Sequence, residues 1–380
     1  MHRPHPDGST PMPRTPAVLL DRVQRDLRRA GNQARNGLRH LSTLDAPPPT
    51  PSARHVVWQR DKVRLWRFES SRRTGAPPVL LVMSLVTRPY VFDLRPGSSL
   101  VEQFLERGLD VYLLDWGVPD AVEAENSLET YCDEYLPLAT AAVCDVAGAP
   151  AATVLGYCLG GVLALLFAAG HHDAPVNSLV LLATPIDFST FGALPSLFGS
   201  RRIDPDDLLD ETGNVPASTM LDGIRLLKPT ADAVGNANLL LRLDDPTFLA
   251  ANRALIGWSL DHIPFPGGAF RQVVELLFRR QCLLEGQVPL GDRTVSLGDV
   301  SCPILSVTGS FDHLVPPASS DPLAAALGRP VDELRFASGH VGLFVGRRAQ
   351  TEHLPAILEW IDRHGRSRTG ARRRVGQARS

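Results

Sequence analysis

The sequence predicts an α/β protein built on a mostly parallel, doubly wound sheet, and three patterns carry that prediction. Short apolar runs recur along the chain, helix-like segments separate them, and most of the runs lack the alternation of a half-solvated strand. A strand covered on both faces reads this way because neither side of its pleat meets water. The runs are PVLLVMSLV at 78–86, LDVYLLDW at 109–116, AATVLGY at 151–157, SLVLLATP at 178–185, CPILSVTG at 302–309 and DELRFAS at 332–338. Ahead of them, VVWQRDKVRLWRFES from Val56 reads as two alternating runs about a polar turn, a β-hairpin. The stretch from Pro185 to Cys302 is far longer than one crossover helix needs and has apolar and aromatic positions of its own. It reads as a cap, about 188–300, inserted between the sixth and seventh core strands.

Composition bounds the function. The chain has 380 residues, 44% of them hydrophobic, so it can bury a large core. A formal net charge of -2 gives no electrostatic case for nucleic acid. Cys132, Cys144, Cys158, Cys282 and Cys302 are odd in number and scattered, with no CxxC and no Cys/His cluster at metal-ligand spacing. That pattern fits a reducing, cytoplasmic compartment and no metal. No apolar run spans a bilayer, the first residues hold no signal-peptide core, and no Gly-rich phosphate loop follows a strand, so no nucleotide cofactor is expected.

The two ends differ from the middle. Residues 1–52 form a Pro-rich extension around a basic stretch, Ala17 to Leu41, where Leu20, Val23, Leu27, Ala30, Ala34 and Leu41 recur at helical spacing and arginines cover the other faces. Such a helix fits a partner, an anionic surface or the protein's own core. Residues 53–364 hold the catalytic domain. The Arg-rich, Gly-punctuated 365–380 is expected to be a disordered tail.

Chemistry enters at ATVLGYCLGG. Cys158 follows the strand directly and precedes the helix-like LGGVLALLFAAG, and Gly156-Tyr157-Cys158-Leu159-Gly160 has the spacing of a G-x-S-x-G nucleophile elbow with sulfur in place of the hydroxyl. A sharp strand-to-helix turn needs small flanking residues so that strand and helix can approach around the nucleophile. It also sets the thiol at a helix N-terminus, where thiolate is favoured and the Leu159 N–H can bind an oxyanion. A buried cysteine beside helix-packing glycines is the alternative on the pentapeptide alone. In this architecture the acid and the histidine follow from later strands. Asp312 in VTGSFDHLVPP and His340 in FASGHVGLFVG each come just after a strand, in that order. An imidazole there can take the thiol proton, and a carboxylate behind it fixes the tautomer. His313, beside Asp312, reads as a neighbour, and Asp187 in TPIDF as an alternative acid. The second oxyanion donor is expected from the loop after PVLLVM, with Val86 or Leu85 the candidates.

From about Val56 to His364 the chain resembles polyhydroxyalkanoate (polyester) synthases, specifically the class III catalytic subunit with an α/β-hydrolase fold. The resemblance lies in WQRDKVRLWRF, SLVTRPYVFDLRPGSSLVEQFLERGLDVYLLDWG, GYCLGG, TPIDF, LDDPTFLAANRALIGWSLD with FRQ, CPILSVTGSFDHLVPP and SGHVGLFVG. It implies Cys158 as acyl-carrying nucleophile, His340 as base, Asp312 as its acidic partner, a 3-hydroxyacyl-CoA substrate and a polyester stored in cytoplasmic granules. It also implies a second synthase subunit; a homodimer is the other arrangement. The sequence departs from the pattern at Val162, where a hydroxyl residue is expected. A thiol suits the task, because acyl transfer from coenzyme A exchanges one thioester for another and keeps the group activated. Water must then be kept out, which gives the cap a purpose. Phe248, Trp258, Phe265, Phe270 and Phe278 fit an acyl tunnel or the cap's own core. Two other readings share the motif: a cysteine-dependent hydrolase of esters, thioesters or polyester, and a non-catalytic scaffold.

Overall fold

The computed structural model describes residues 51–70, 72–199, 201–227 and 244–377. The predicted basic helix at 17–41 lies outside them. The chain divides into two compact units, Met1–Ala46 with Asp232–Arg253, and Pro47–Ala231 with Ala254–Ser380. In the first, the described residues open a helix in which Asp245 accepts the Phe248 N–H at 2.9 Å as a cap.

The second unit is built around an eight-stranded sheet. The strands are β1 (Arg54–Arg60), β2 (Val63–Phe68), β3 (Val79–Val82), β4 (Val111–Asp115), β5 (Ala152–Tyr157), β6 (Val176–Leu182), β7 (Ile304–Gly309) and β8 (Asp332–Phe336). Their order across the sheet is β1-β2-β4-β3-β5-β6-β7-β8. β1 and β2 form the expected hairpin, β2 meets β4 antiparallel, and the rest run parallel. Every residue of β3, β5, β6 and β7 is buried, which is why those runs lack alternation. The edge strand β8 is mostly exposed or half-buried.

Helices fill both faces. α1 (Leu100–Glu106) starts at Ser99, whose hydroxyl accepts the Glu102 N–H at 2.9 Å, and α2 (Leu136–Ala147) stops at Gly148, in the left-handed region with φ 64. α3 (Leu159–Gly170) is apolar on all sides because it lies inside, buried from Leu159 to Ala169. Val162, the departure from the family pattern, is 0% exposed within it, so an apolar residue there belongs to the core. α4 (Leu354–Gln377) continues through the segment expected to be disordered; arginine, alanine and glutamine are good helix formers and the glycines there only weaken that preference.

The long β6–β7 connection holds an aromatic cluster. Phe188 stacks on Phe191 at 5.1 Å, Phe278 meets Phe188 edge-on at 5.1 Å, and Phe198, Phe270 and Phe265 continue the chain of contacts. Phe265 thus packs on Phe270, and Phe198 joins Phe270 to Phe278 in one aromatic cluster. Part of the connection packs on the helices of the sheet. The hairpin Gln287–Leu290 with Arg293–Ser296 lies beside the end of α3, where a Cβ on Gly170 would meet Arg293 Nη2 at 2.8 Å and Val295 Cγ2 at 3.5 Å. Glu129 ties it down by accepting the Gly291 N–H at 2.7 Å and the Gln272 amide at 2.8 Å. No helix among the described residues is long and apolar enough to cross a membrane.

Candidate active site

At the end of β5 the chain turns through Cys158, whose N–H donates to Leu182 O at 2.9 Å. Cys158 adopts φ 54 and ψ -124, a conformation costing a non-glycine residue about 1–3 kcal/mol. The glycines explain how the turn survives. A Cβ on Gly156 would lie 2.5 Å from Gly161 Cα, one on Gly160 would lie 2.6 Å from Met83 O, and one on Gly161 would overlap Thr184 Oγ1. Strand, helix and the end of β3 are therefore pressed around the thiol more closely than any side chain allows. Cys158 is half-buried, and the Leu159 N–H points out of the first turn of α3 with no hydrogen-bond partner among the described residues.

The acid comes from the loop after β7. Asp312 is 3% exposed, and its Oδ1 accepts the N–H groups of Leu314 at 2.9 Å and Val315 at 2.8 Å. Its Oδ2 lies 2.7 Å from His340 Nδ1, in the loop after β8. A carboxylate only accepts, so the proton sits on Nδ1 and Nε2 is left for the thiol. The Cys158 thiol lies near enough to act on the imidazole, so the structure gathers all three side chains at the strand ends. Burial works against the imidazolium. The charge and hydrogen bond of Asp312, helped by Cys158, overcome it and hold His340 up at about 10.

The other candidates fall elsewhere. His313 is exposed. The Asp187 carboxylate accepts the Ser189 N–H at 2.8 Å and caps a short turn rather than reaching His340. The loop after β3 does come close, since Gly160 abuts Val82 and Met83, and Val86 has no partner for its own N–H among the described residues. That loop is strapped from outside: Ile263 N donates to Val86 O at 3.2 Å, Thr87 bridges to His262, and the Trp258 indole donates to Arg88 O at 2.8 Å. Trp258 thus holds the loop, a role that the sequence does not signal because its partner lies 170 residues away.

The profile of the alpha/beta hydrolase fold matches residues 77–346. Several curated relatives carry the name poly(3-hydroxyalkanoate) polymerase subunit PhaC. Those of Thiocystis violacea and Allochromatium vinosum are each 32% identical, over 91% of this chain and 98% of theirs. That of a Synechocystis strain is 34% identical over 81% of this chain and 84% of its own. The chain belongs to the poly(3-hydroxyalkanoate) polymerase family. Within that family's α/β hydrolase frame, the sequence located the residues that sit at strand ends. Beyond its place in the elbow frame, the polymerase family motif gave no sign of what Tyr157 touches: its ring lies against His340 at 4.7 Å.

Proposed function

We propose that this chain is the catalytic subunit of a polyester synthase, joining 3-hydroxyacyl units taken from coenzyme A thioesters. Near full-length similarity to poly(3-hydroxyalkanoate) polymerases carries this reading. The His340–Asp312 pair, with Cys158 close enough to act on the imidazole, supports it with a chemistry. His340 Nε2 takes the Cys158 proton, and the thiolate attacks the thioester carbonyl. The oxyanion is held by the Leu159 N–H and a second N–H from Val86 or Leu85. Coenzyme A leaves as its thiol with the proton from His340, and the acyl group stays on sulfur. The hydroxyl of another hydroxyacyl unit then attacks that thioester, giving its proton to His340. An ester forms, and Cys158 leaves and is reprotonated.

No step calls for a metal or a bound cofactor. The part of the cap above the strand ends would keep water from the acyl-cysteine. A second synthase subunit, or a second copy of this chain, and the surface of a polyester granule in the cytoplasm are the partners this reading brings.

Purified protein given 3-hydroxybutyryl-CoA should release coenzyme A and make polymer, and Cys158→Ala should do neither. Free 3-hydroxybutyrate without polymer would make the chain a hydrolase. Coenzyme A release unchanged in Cys158→Ala would remove the mechanism.

A further inference from the structure

Beneath the reacting groups lies an aromatic floor. Tyr157, the last residue of β5, is 2% exposed, and its ring centroid lies 4.7 Å from that of His340 with the planes 36° apart. Phe344 meets the Tyr157 ring edge-on at 4.9 Å and 85°, Phe92 meets it at 6.1 Å and 70°, and Phe92 and Phe344 touch each other at 5.2 Å. All three aromatic side chains are buried. The Tyr157 ring is therefore fixed on two sides, and one face of it is left for the imidazole.

The hydroxyl narrows what Tyr157 can be doing. Tyr157 Oη is buried with no hydrogen-bond partner among the described residues. An unpaired buried hydroxyl is unfavourable, so the phenol is not held by its polar end. What the ring does offer is a negative π face within the reach of a cation–π contact. The charged and titratable groups that face His340 are Asp312 and Cys158, with Tyr157 under the ring. Asp312 grips Nδ1 from one edge, but a hydrogen bond at one nitrogen leaves the ring free to tilt about it. The Tyr157 face removes that freedom.

We infer that Tyr157 is a positioning residue which, through the face of its ring, holds His340 in plane and favours its imidazolium form beside the Cys158 thiolate. The role rests on the proposed reading only for its consequence in catalysis; the contact itself does not. Asp312 supplies the charge, and Tyr157 supplies the surface against which the charged ring is stabilised. Its consequence for the thiol is a matter of where one proton sits. Thiolate with imidazolium and thiol with neutral imidazole differ only in that proton, and the ring stabilises the first alone.

The test reads His340 directly. In the Cys158→Ala background, where no thiol titrates alongside, NMR of histidine-labelled protein follows the His340 imidazole, assigned by its loss in His340→Gln. Tyr157→Phe should keep the titration midpoint within a few tenths of a unit, because the face is retained, and should raise Tm because the unpaired hydroxyl is gone. Tyr157→Leu should lower the midpoint by about one pH unit. With Cys158 restored, it should slow iodoacetamide alkylation of that thiol at neutral pH by up to about tenfold.

If Tyr157→Leu does not fold, phenylalanines carrying increasing numbers of fluorines at position 157 keep the shape while weakening the π face, and the midpoint should fall with each fluorine. A midpoint indifferent to fluorination, or one that moves as much in Tyr157→Phe as in Tyr157→Leu, overturns the inference. Polymer formation separates this from the function proposed above. Wild type that makes polymer with an unmoved midpoint sinks the role of the ring alone, and a moved midpoint without polymer sinks the synthase reading alone.

Discussion

Asp312 holds His340 with one carboxylate oxygen while its other oxygen is held by two backbone N–H groups of its own loop, at 2.9 and 2.8 Å. The carboxylate cannot rotate toward or away from the imidazole without breaking those bonds. Asp312→Asn should preserve the fold, since its amide oxygen can still accept from the loop. Its NH2 would face Nδ1 and drive the proton to Nε2, the nitrogen that must receive the thiol proton. Coenzyme A release should fall by about 10^3–10^4-fold at unchanged secondary structure. A loss under tenfold, read by a thiol-reactive dye, would mean that Asp312 does not set the tautomer.

The same pair makes stability depend on pH in a stated direction. His340 sits at about 10 when folded, above its ordinary value of 6.5. The folded state therefore holds its proton more tightly than the unfolded one. The stabilisation is fully present below about pH 6.5, declines as pH rises, and is lost as pH passes about 10. Urea denaturation of wild type and His340→Gln from pH 6 to pH 10.5 should show the largest gap at the acid end, narrowing continuously. A gap that widens with pH would reverse the assignment.

The elbow predicts a steric coupling. Gly161→Ala should cost about 1–3 kcal/mol or more, because its new methyl overlaps Thr184 Oγ1 and lies 2.9 Å from Thr184 Cγ2. Thr184→Ala removes both atoms but leaves Thr184 Cβ, also 2.9 Å away. The double variant should therefore recover part of the loss, and a double-mutant cycle in urea should show a favourable interaction energy. Strict additivity would show that the two residues do not meet.

Where the sequence was legible, the reason was local. The strands β3 to β7 showed as apolar runs because both of their faces are covered, and Cys158 showed because it follows such a run directly; Asp312 and His340 showed because they come within a few residues of the ends of β7 and of the exposed edge strand β8. The β6–β7 connection was legible only as an excess of chain. Its aromatic residues carry no mark that separates a tunnel from a core, and their packing at 5.1–6.0 Å, which joins Phe265, Phe270 and Phe278 in one cluster, has no signature in the sequence. The hairpin beside α3 is held by Glu129, 162 residues before Gly291, a pairing with no local signature. The strand ends were also read long: 78–86 ends as a strand at Val82, and the residues beyond it are the loop that approaches the thiol.

That loop supplies the last prediction. Val86, Thr87 and Arg88 are fastened by Ile263, His262 and the Trp258 indole, with Arg88 Nε also donating to Asp261 Oδ1 at 3.4 Å. Trp258→Phe keeps an aromatic ring but removes the donor to Arg88 O, at a cost of about 1 kcal/mol in stability. If the loop presents the second oxyanion donor, loosening it should lower the rate of coenzyme A release by about tenfold with KM little changed. Alkylation of Cys158 by iodoacetamide develops no oxyanion and should proceed at the wild-type rate. Should both rates fall together in Trp258→Phe, the damage lies in the Cys158–His340 pair, and the loop has no separate part in stabilising the oxyanion.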